Sequence, residues 1–112
     1  MRLQSNRAFL KDELQRLNER FEQVSDYLNA HPAMSLQKRV INGCIYYYER
    51  FKDNGTCTSR FYSKDPEEAK KRRLELEEAS ALRRRLKAEK QDLKKNITLI
   101  ERLIKTVNKG LS

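Results

Sequence analysis

Residues 45–63 read IYYYERFKDNGTCTSRFYS, two runs of aromatic and β-branched residues on either side of the dipeptide Asn54-Gly55. Asn-Gly favours a type I′ turn, because both central residues of that turn need a positive φ. The dipeptide therefore predicts a two-stranded β-hairpin, which we place at residues 40–63.

The register of this hairpin follows from counting outward from its tip. It places these residues opposite each other: Asp53 and Thr56, Glu49 and Arg60, Tyr48 and Phe61, and Tyr47 and Tyr62. This register forms one pair of opposite charges and two pairs of rings at the same time. Each such pair stabilises a sheet by roughly 0.2 to 1 kcal/mol. In this register Cys44 and Cys57 are too far apart to join, so we expect no disulfide.

A helix is predicted before the hairpin. Apolar residues recur there at the intervals of a coiled-coil seam, at Leu3, Leu10, Leu14, Leu17, Phe21, Val24 and Leu28. Ser5 or Asn6 can cap the start, and Pro32 disfavours helix at the residue before it. We place this helix at residues 5–29.

A longer helix is predicted after the hairpin. Asp65 is a suitable cap, Pro66 suits the first helical position, and Glu68 completes an acidic first turn. Its apolar stripe consists of Ala79, Leu82, Leu86, Leu93, Ile97, Ile100, Ile104, Val107 and Leu111, with Glu89 at a missing step. We place this helix at residues 66–108.

Together these elements predict a mostly α fold in a single domain, residues 1–112. Its architecture is an antiparallel helical hairpin or coiled coil with an inserted two-stranded β-hairpin, in the order α-β-β-α. An isolated hairpin is marginally stable in water, so it must pack on the helices, on a second subunit or on a partner. The pattern leaves open whether the helical seams pair within one chain or between two.

The charge is unevenly distributed along the chain. The net charge is +9, and Lys and Arg outnumber Asp and Glu by 0 in residues 1–33, by 3 in residues 34–65 and by 6 in residues 66–112. On a helical projection the cations of the second helix gather on one flank of the apolar stripe. The predicted binding residues of this basic flank are Arg72, Arg73, Arg83, Arg84, Lys87, Lys90, Lys94 and Lys105. A one-sided basic flank suits a polyanion such as nucleic acid, although charged helix faces also serve solubility alone.

The hairpin adds aromatic residues interleaved with cations. Its predicted binding residues are Tyr46, Tyr48, Arg50, Lys52 and Arg60. Aromatic rings beside cations can stack bases and bind phosphates, as in proteins that hold single strands. The same rings also make good strands, so packing in the core or an interface is the competing interpretation.

Several function classes find no support in the sequence. One histidine, His31, and two cysteines are too few for a tetrahedral zinc site, and no nucleophile has a base beside it, so we predict no metal, no cofactor and no enzymatic activity. No apolar run approaches the roughly 20 residues of a membrane span. We therefore expect a cytoplasmic protein with reduced thiols and no membrane partner.

The hairpin followed by Asp65-Pro66-Glu67-Glu68-Ala69 resembles the small sheet-plus-helix modules of phage integrase arm-binding domains. It is similar as well to small prophage and conjugative-element proteins that place a Tyr-rich hairpin before a charged helix. The resemblance covers residues 43–72 and implies a mobile-element setting, where small basic binders include regulators and inhibitors of RNA-guided nucleases. Integrase-type modules read DNA with the strands of their sheet, but we expect no third strand here.

Two functional hypotheses follow. The first is a non-enzymatic protein that binds nucleic acid or a nucleoprotein, encoded by a phage or mobile element and acting as a regulator or an anti-CRISPR-like inhibitor. The second is a coiled-coil scaffold or assembly protein that forms a homodimer through its helical seams.

Overall fold

A computed structural model describes residues 3–111, and describes the side chains of residues 7–110. In chain order the elements are helix α1 (Leu3–Ala30), strands β1 (Met34–Ile41), β2 (Cys44–Asp53) and β3 (Thr56–Ser63), and helix α2 (Pro66–Leu111). Two compact units contain them. The sheet unit is Asn29–Arg85, and the helical unit combines the chain up to Leu28 with the chain from Leu86 onward.

The sheet has three antiparallel strands in the order β1-β2-β3, so the predicted fold class with a two-stranded hairpin is wrong. The additional strand is β1, which pairs with β2 from Met34 opposite Phe51 to Ile41 opposite Cys44. A second Asn-Gly dipeptide joins these two strands. Asn42 has a φ of 52° and Gly43 a φ of 81°, so this turn uses the same backbone chemistry as Asn54-Gly55.

The pairing of β2 with β3 agrees with the predicted register over most of its length. Glu49 lies opposite Arg60 and Tyr48 opposite Phe61. The predicted pair of Tyr47 with Tyr62 is wrong, because a β-bulge between Tyr47 and Tyr48 puts Ser63 opposite Tyr47 instead.

Ser63 connects the end of β3 with the start of α2. The Ser63 hydroxyl donates to Glu68 Oε2 at 2.6 Å and accepts from the Asp65 backbone N–H at 2.9 Å. Asp65 Oδ1 in turn accepts from the Glu67 N–H at 3.0 Å, which is the expected capping bond. The strand and the helix are therefore joined by side-chain hydrogen bonds as well as by the chain.

In the helical unit, α1 packs against the C-terminal half of α2 within the chain. Its buried core consists of Leu17, Val24, Leu28 and Leu93, with Phe21, Leu86, Ile97 and Ile100 partly buried against it. The seams predicted from sequence therefore contact each other in one chain. Leu3 of the first seam, Leu111 of the second and the proposed caps Ser5 and Asn6 lie outside the residues whose side chains are described.

Glu89, which interrupts the apolar stripe of α2, has a partner in α1. Arg20 donates from Nε and Nη2 to the two Glu89 oxygens at 2.7 and 3.0 Å. These hydrogen bonds lower the pKa of Glu89 and raise the pKa of Arg20. Because the folded-state pKa of Glu89 is depressed, the pair stabilises the fold above the carboxyl's unfolded pKa, and that contribution is lost as pH falls through the folded pKa.

Positive φ at both glycine turns generates a stability prediction. Replacing either Gly43 or Gly55 with Ala should lower the free energy of unfolding by about 1 kcal/mol, because an L side chain disfavours a φ of 81°. The cost is conformational, since the added Cβ would have no atom within 4 Å beyond the neighbouring residues in the chain. Urea denaturation followed by circular dichroism measures the change. Gly110→Ala, in the last turn of α2, is the matched control and should leave stability unchanged or slightly raised. Equal stability of Gly43→Ala and wild type would contradict the turn that adds β1.

Candidate nucleic-acid interface

The two faces of the sheet have different surroundings. Side chains alternate between faces along each strand, and cross-strand partners share a face. On one side, Tyr47, Glu49 and Ser63 are buried, as are Ala69 and Leu76 of α2. We call this the covered face. On the opposite side, the open face, none of the described strand residues is buried.

A buried carboxylate anchors α2 to the covered face. Glu49 is only 5% exposed, and its Oε2 accepts from Nη2 and Nε of Arg72 at 2.8 and 3.2 Å. Its Oε1 lies 3.5 Å from Nη2 of Arg60. Arg72 also donates to Glu75 at 2.9 Å, and these hydrogen bonds, that to Glu49 first, raise the pKa of Arg72. A buried carboxylate needs such partners, because an unpaired charge in the interior is strongly destabilising.

The open face combines cations and aromatic rings without a carboxylate. The register assigns it Ser35, Gln37, Arg39, Ile41, Cys44, Tyr46, Tyr48, Arg50, Lys52, Cys57, Ser59 and Phe61. Lys64, just after β3, adds a fourth cation by placing its Nζ 5.1 Å from the centre of the Tyr46 ring. The two acidic residues of the strands, Glu49 and Asp53, belong to the other face. The open face is therefore uniformly positive.

Three aromatic rings form one cluster on this face. The Phe61 ring lies edge-to-face with Tyr48 at a centroid distance of 5.8 Å, and with Tyr46 at 6.3 Å. Such pairs are worth about 0.5 to 1.5 kcal/mol each beyond the area they bury. Phe61 is nevertheless 51% exposed. The cluster thus presents a large apolar ring to solvent among cations.

Arg39 lies across the middle of the same face. Its guanidinium carbon is 4.2 Å from the centre of the Tyr48 ring. Nε and Nη2 donate to Gln37 Oε1 at 3.2 and 3.1 Å, and Nη2 also donates to Ser59 Oγ at 2.9 Å. One guanidinium therefore contacts side chains of all three strands, which holds it in one position on the face.

The structure brings four of the five predicted hairpin residues together. Tyr46, Tyr48, Arg50 and Lys52 all lie on the open face. Arg60 does not, because it is the cross-strand partner of Glu49 and therefore lies on the covered face. There its guanidinium carbon lies 5.5 Å from the centre of the Phe51 ring. The predicted set of hairpin residues thus divides between opposite sides of the sheet.

The predicted cations of α2 also have different surroundings. In the sheet unit, Arg72 is paired with two carboxylates, Arg83 donates to the His31 carbonyl, and Arg84 donates to Ser80 Oγ at 3.3 Å. Arg73 is exposed and lines a shallow groove with Leu36.

The helical unit holds the other four predicted cations of α2. Lys90 lies 5.4 Å from the Phe21 ring. Lys87, Lys94 and Lys105 are exposed. All eight cations of α2 stay predicted binding residues, and Arg72 is the one that already has two anionic partners among the ion pairs of the described residues.

Three members of the open-face site are not among the residues predicted to bind: Arg39, Phe61 and Lys64. Arg39 was missed because β1 was not predicted, although Asn42-Gly43 carries the same turn signal that located the second hairpin. Phe61 belongs to the run of rings and cations that the sequence predicts opposite Tyr48, but it is not among the predicted binding residues. Lys64 follows β3 and reaches Tyr46 only because of the bulge before it.

The described part of the chain has few of the features that mark a metal site or a membrane span. Among residues 3–111 there is no group of three or more His, Cys, Asp or Glu arranged to hold a metal ion. Cys44 and Cys57 are exposed free thiols. Neither α1 nor α2, over its described residues, has a stretch that is long and apolar enough to cross a membrane.

Comparison of this chain with models of protein families, with curated proteins and with solved structures finds no match.

The ion pairs of Glu49 generate a second stability prediction. Glu49→Gln should lower the free energy of unfolding by roughly 1.5 to 3 kcal/mol, because the change removes the buried negative charge that faces Arg72 and Arg60. Glu75→Gln is the matched control, since it removes the other carboxylate that Arg72 contacts. The Glu75 side chain is 64% exposed, so its loss should cost less than about 0.5 kcal/mol. Urea denaturation of both variants compares the two, and equal losses would show that Glu49 does not anchor α2.

Proposed function

We propose that this chain is a non-enzymatic nucleic-acid-binding protein and that the open face of its sheet contacts the nucleic acid. The observation that supports the proposal is that the open face has cations and no strand carboxylate, whereas the carboxylates of the strands lie on the covered face. Arg39, Arg50, Lys52 and Lys64 accompany three aromatic rings on the open face, and both strand carboxylates are on the other.

Phosphate groups are the natural ligands of such a face. Each phosphate that a cation neutralises releases condensed counterions, and this release supplies most of the affinity in non-specific binding. A nearby carboxylate would repel the phosphates, and the open face has none among its strand residues. Aromatic rings between the cations add contacts to bases or sugars.

The ligand is a nucleic acid or a nucleoprotein, and the protein acts in the cytoplasm, where exposed thiols such as Cys44 and Cys57 stay reduced. Regulation in a phage or mobile element, including inhibition of an RNA-guided nuclease, is the role that the sheet-plus-helix resemblance implies.

A homodimeric coiled-coil scaffold is the alternative function. The observation in its favour is the exposure of Leu99 and Leu103, at 54% and 51%, four residues apart on α2. The observation against it is that the main seams already contact each other within the chain.

Binding to nucleic acid should be strongly salt-dependent. In an anisotropy titration at two salt concentrations, Arg50→Gln/Lys52→Gln should lose about tenfold or more in affinity at low salt. The slope of log K against log salt should fall by roughly 1.4 to 1.8, since two phosphate contacts are removed. Lys70→Gln/Lys71→Gln is the matched control, with the same loss of charge on exposed residues of α2, and should lose less than about twofold.

The proposal fails in either of two ways. One is the absence of binding to both DNA and RNA at low salt. The other is an equal loss in the two double variants, because affinity would then follow net charge and not the open face.

Sedimentation velocity without nucleic acid tests the alternative. We expect a monomer over the micromolar range, because the apolar seams are used within the chain. A concentration-dependent dimer that Leu99→Lys/Leu103→Lys abolishes would favour the scaffold. The same change at exposed Val40 and Ile41 is the control, since those residues are on the sheet.

A further inference from the structure

We propose that the open face binds single-stranded DNA and that a base stacks on the ring of Phe61. This inference rests on the proposed function and specifies its ligand. Its evidence is the aromatic cluster, the fixed position of Arg39 and the positive charge of the open face.

Phe61 has no part in covering the core. It lies on the side of the sheet opposite Glu49 and Ser63, and half of its surface is exposed. Tyr46 and Tyr48 contact it edge-to-face from β2, which holds the ring in place without burying it. A fixed, exposed aromatic ring is a platform on which a base of any identity can stack.

Arg39 extends this platform. Its guanidinium is planar and is held over the Tyr48 ring by hydrogen bonds to Gln37 and Ser59. A guanidinium plane can stack on a base as an aromatic ring does, and it brings a positive charge. Because its position is already fixed, little side-chain entropy remains to be lost on binding.

Duplex DNA suits this face less well than a single strand. In a duplex the faces of the bases are stacked on each other, so a protein reaches only their edges in the grooves. A single strand leaves the faces of its bases free. The exposed Phe61 ring therefore gains a stacking contact from a single strand that a duplex does not give.

The contacts of this site give RNA no advantage over DNA. A stacking ring such as Phe61 touches a base and a cation such as Lys52 touches a phosphate, and both groups are common to the two nucleic acids. We accordingly expect RNA of the same sequence to bind no more tightly than single-stranded DNA.

The test is a fluorescence anisotropy titration of the full chain against three labelled probes. They are a 20-nucleotide oligothymidylate, a 20-base-pair mixed-sequence duplex and a 20-nucleotide oligouridylate. Wild type should bind oligothymidylate at least as tightly as oligouridylate and several-fold more tightly than the duplex. Phe61→Leu should weaken oligothymidylate binding by about fivefold or more, because it removes one stacking platform while keeping an apolar side chain.

Phe9→Leu is the matched control. Phe9 is 68% exposed on α1, so the same exchange at an exposed phenylalanine away from the sheet should change the affinity by less than about twofold. Thermal melting establishes that each variant is folded. Arg39→Lys provides a second probe that does not depend on Phe61, since it keeps the charge and removes the planar group, and it should weaken oligothymidylate binding by about threefold or more.

The outcomes separate this inference from the proposed function. Tighter binding of the duplex, or equal affinities of folded Phe61→Leu and Phe9→Leu for oligothymidylate, overturns the inference and leaves the proposed function standing. If Phe61→Leu does not fold, full affinity of Arg39→Lys overturns it. Oligouridylate bound tenfold more tightly overturns the assignment to DNA. No binding to any of the three probes overturns both proposals.

Discussion

The pairing of buried Glu49 with Arg72 decides which face of the sheet is covered. A carboxylate that is 5% exposed is tolerated only when cations satisfy it, and Arg72 of α2 supplies the closer of the two. Because side chains alternate along β2, turning Glu49 toward the helix turns Tyr48 and Arg50 away from it. A slip of β2 by one residue would move Glu49 to the open face and Tyr48 and Arg50 to the covered face. One ion pair thus determines the composition of the surface left open to solvent.

This arrangement gives cations of similar sequence context different roles. Arg60 and Arg50 lie on neighbouring strands of one hairpin, yet Arg60 shares the covered face with Glu49 and Arg50 lies on the open face. Arg72 is neutralised by two carboxylates, whereas its neighbour Arg73 is exposed. A count of positive charges treats these residues alike. Their availability to a polyanion depends on the acidic partners that the fold brings to them.

Much of the fold can be predicted from local patterns. The Asn54-Gly55 turn placed Glu49 opposite Arg60 and Tyr48 opposite Phe61 correctly, because a two-residue turn fixes the register of the strands it joins. Strand β1 was not predicted because Gln37, Lys38 and Arg39 interrupt its apolar alternation, although Asn42-Gly43 carries a turn signal. Because β1 was not predicted, Arg39 was not predicted as a binding residue either. Arg39 is the cation with the most contacts on the open face. The bulge that replaces Tyr62 by Ser63 opposite Tyr47 has no signal of its own in the sequence.

The sequence by itself determined the elements that depend on near neighbours: the start of α2 at Pro66, the tight turns at Asn-Gly, and the apolar seams of both helices. These follow from backbone preferences and from spacing along the chain. Only the tertiary structure decided which cations are paired and which are exposed, and that the seams meet within one chain. Those outcomes depend on residues far apart in sequence, such as Glu49 with Arg72 and Arg20 with Glu89, whose contacts form only after the elements pack.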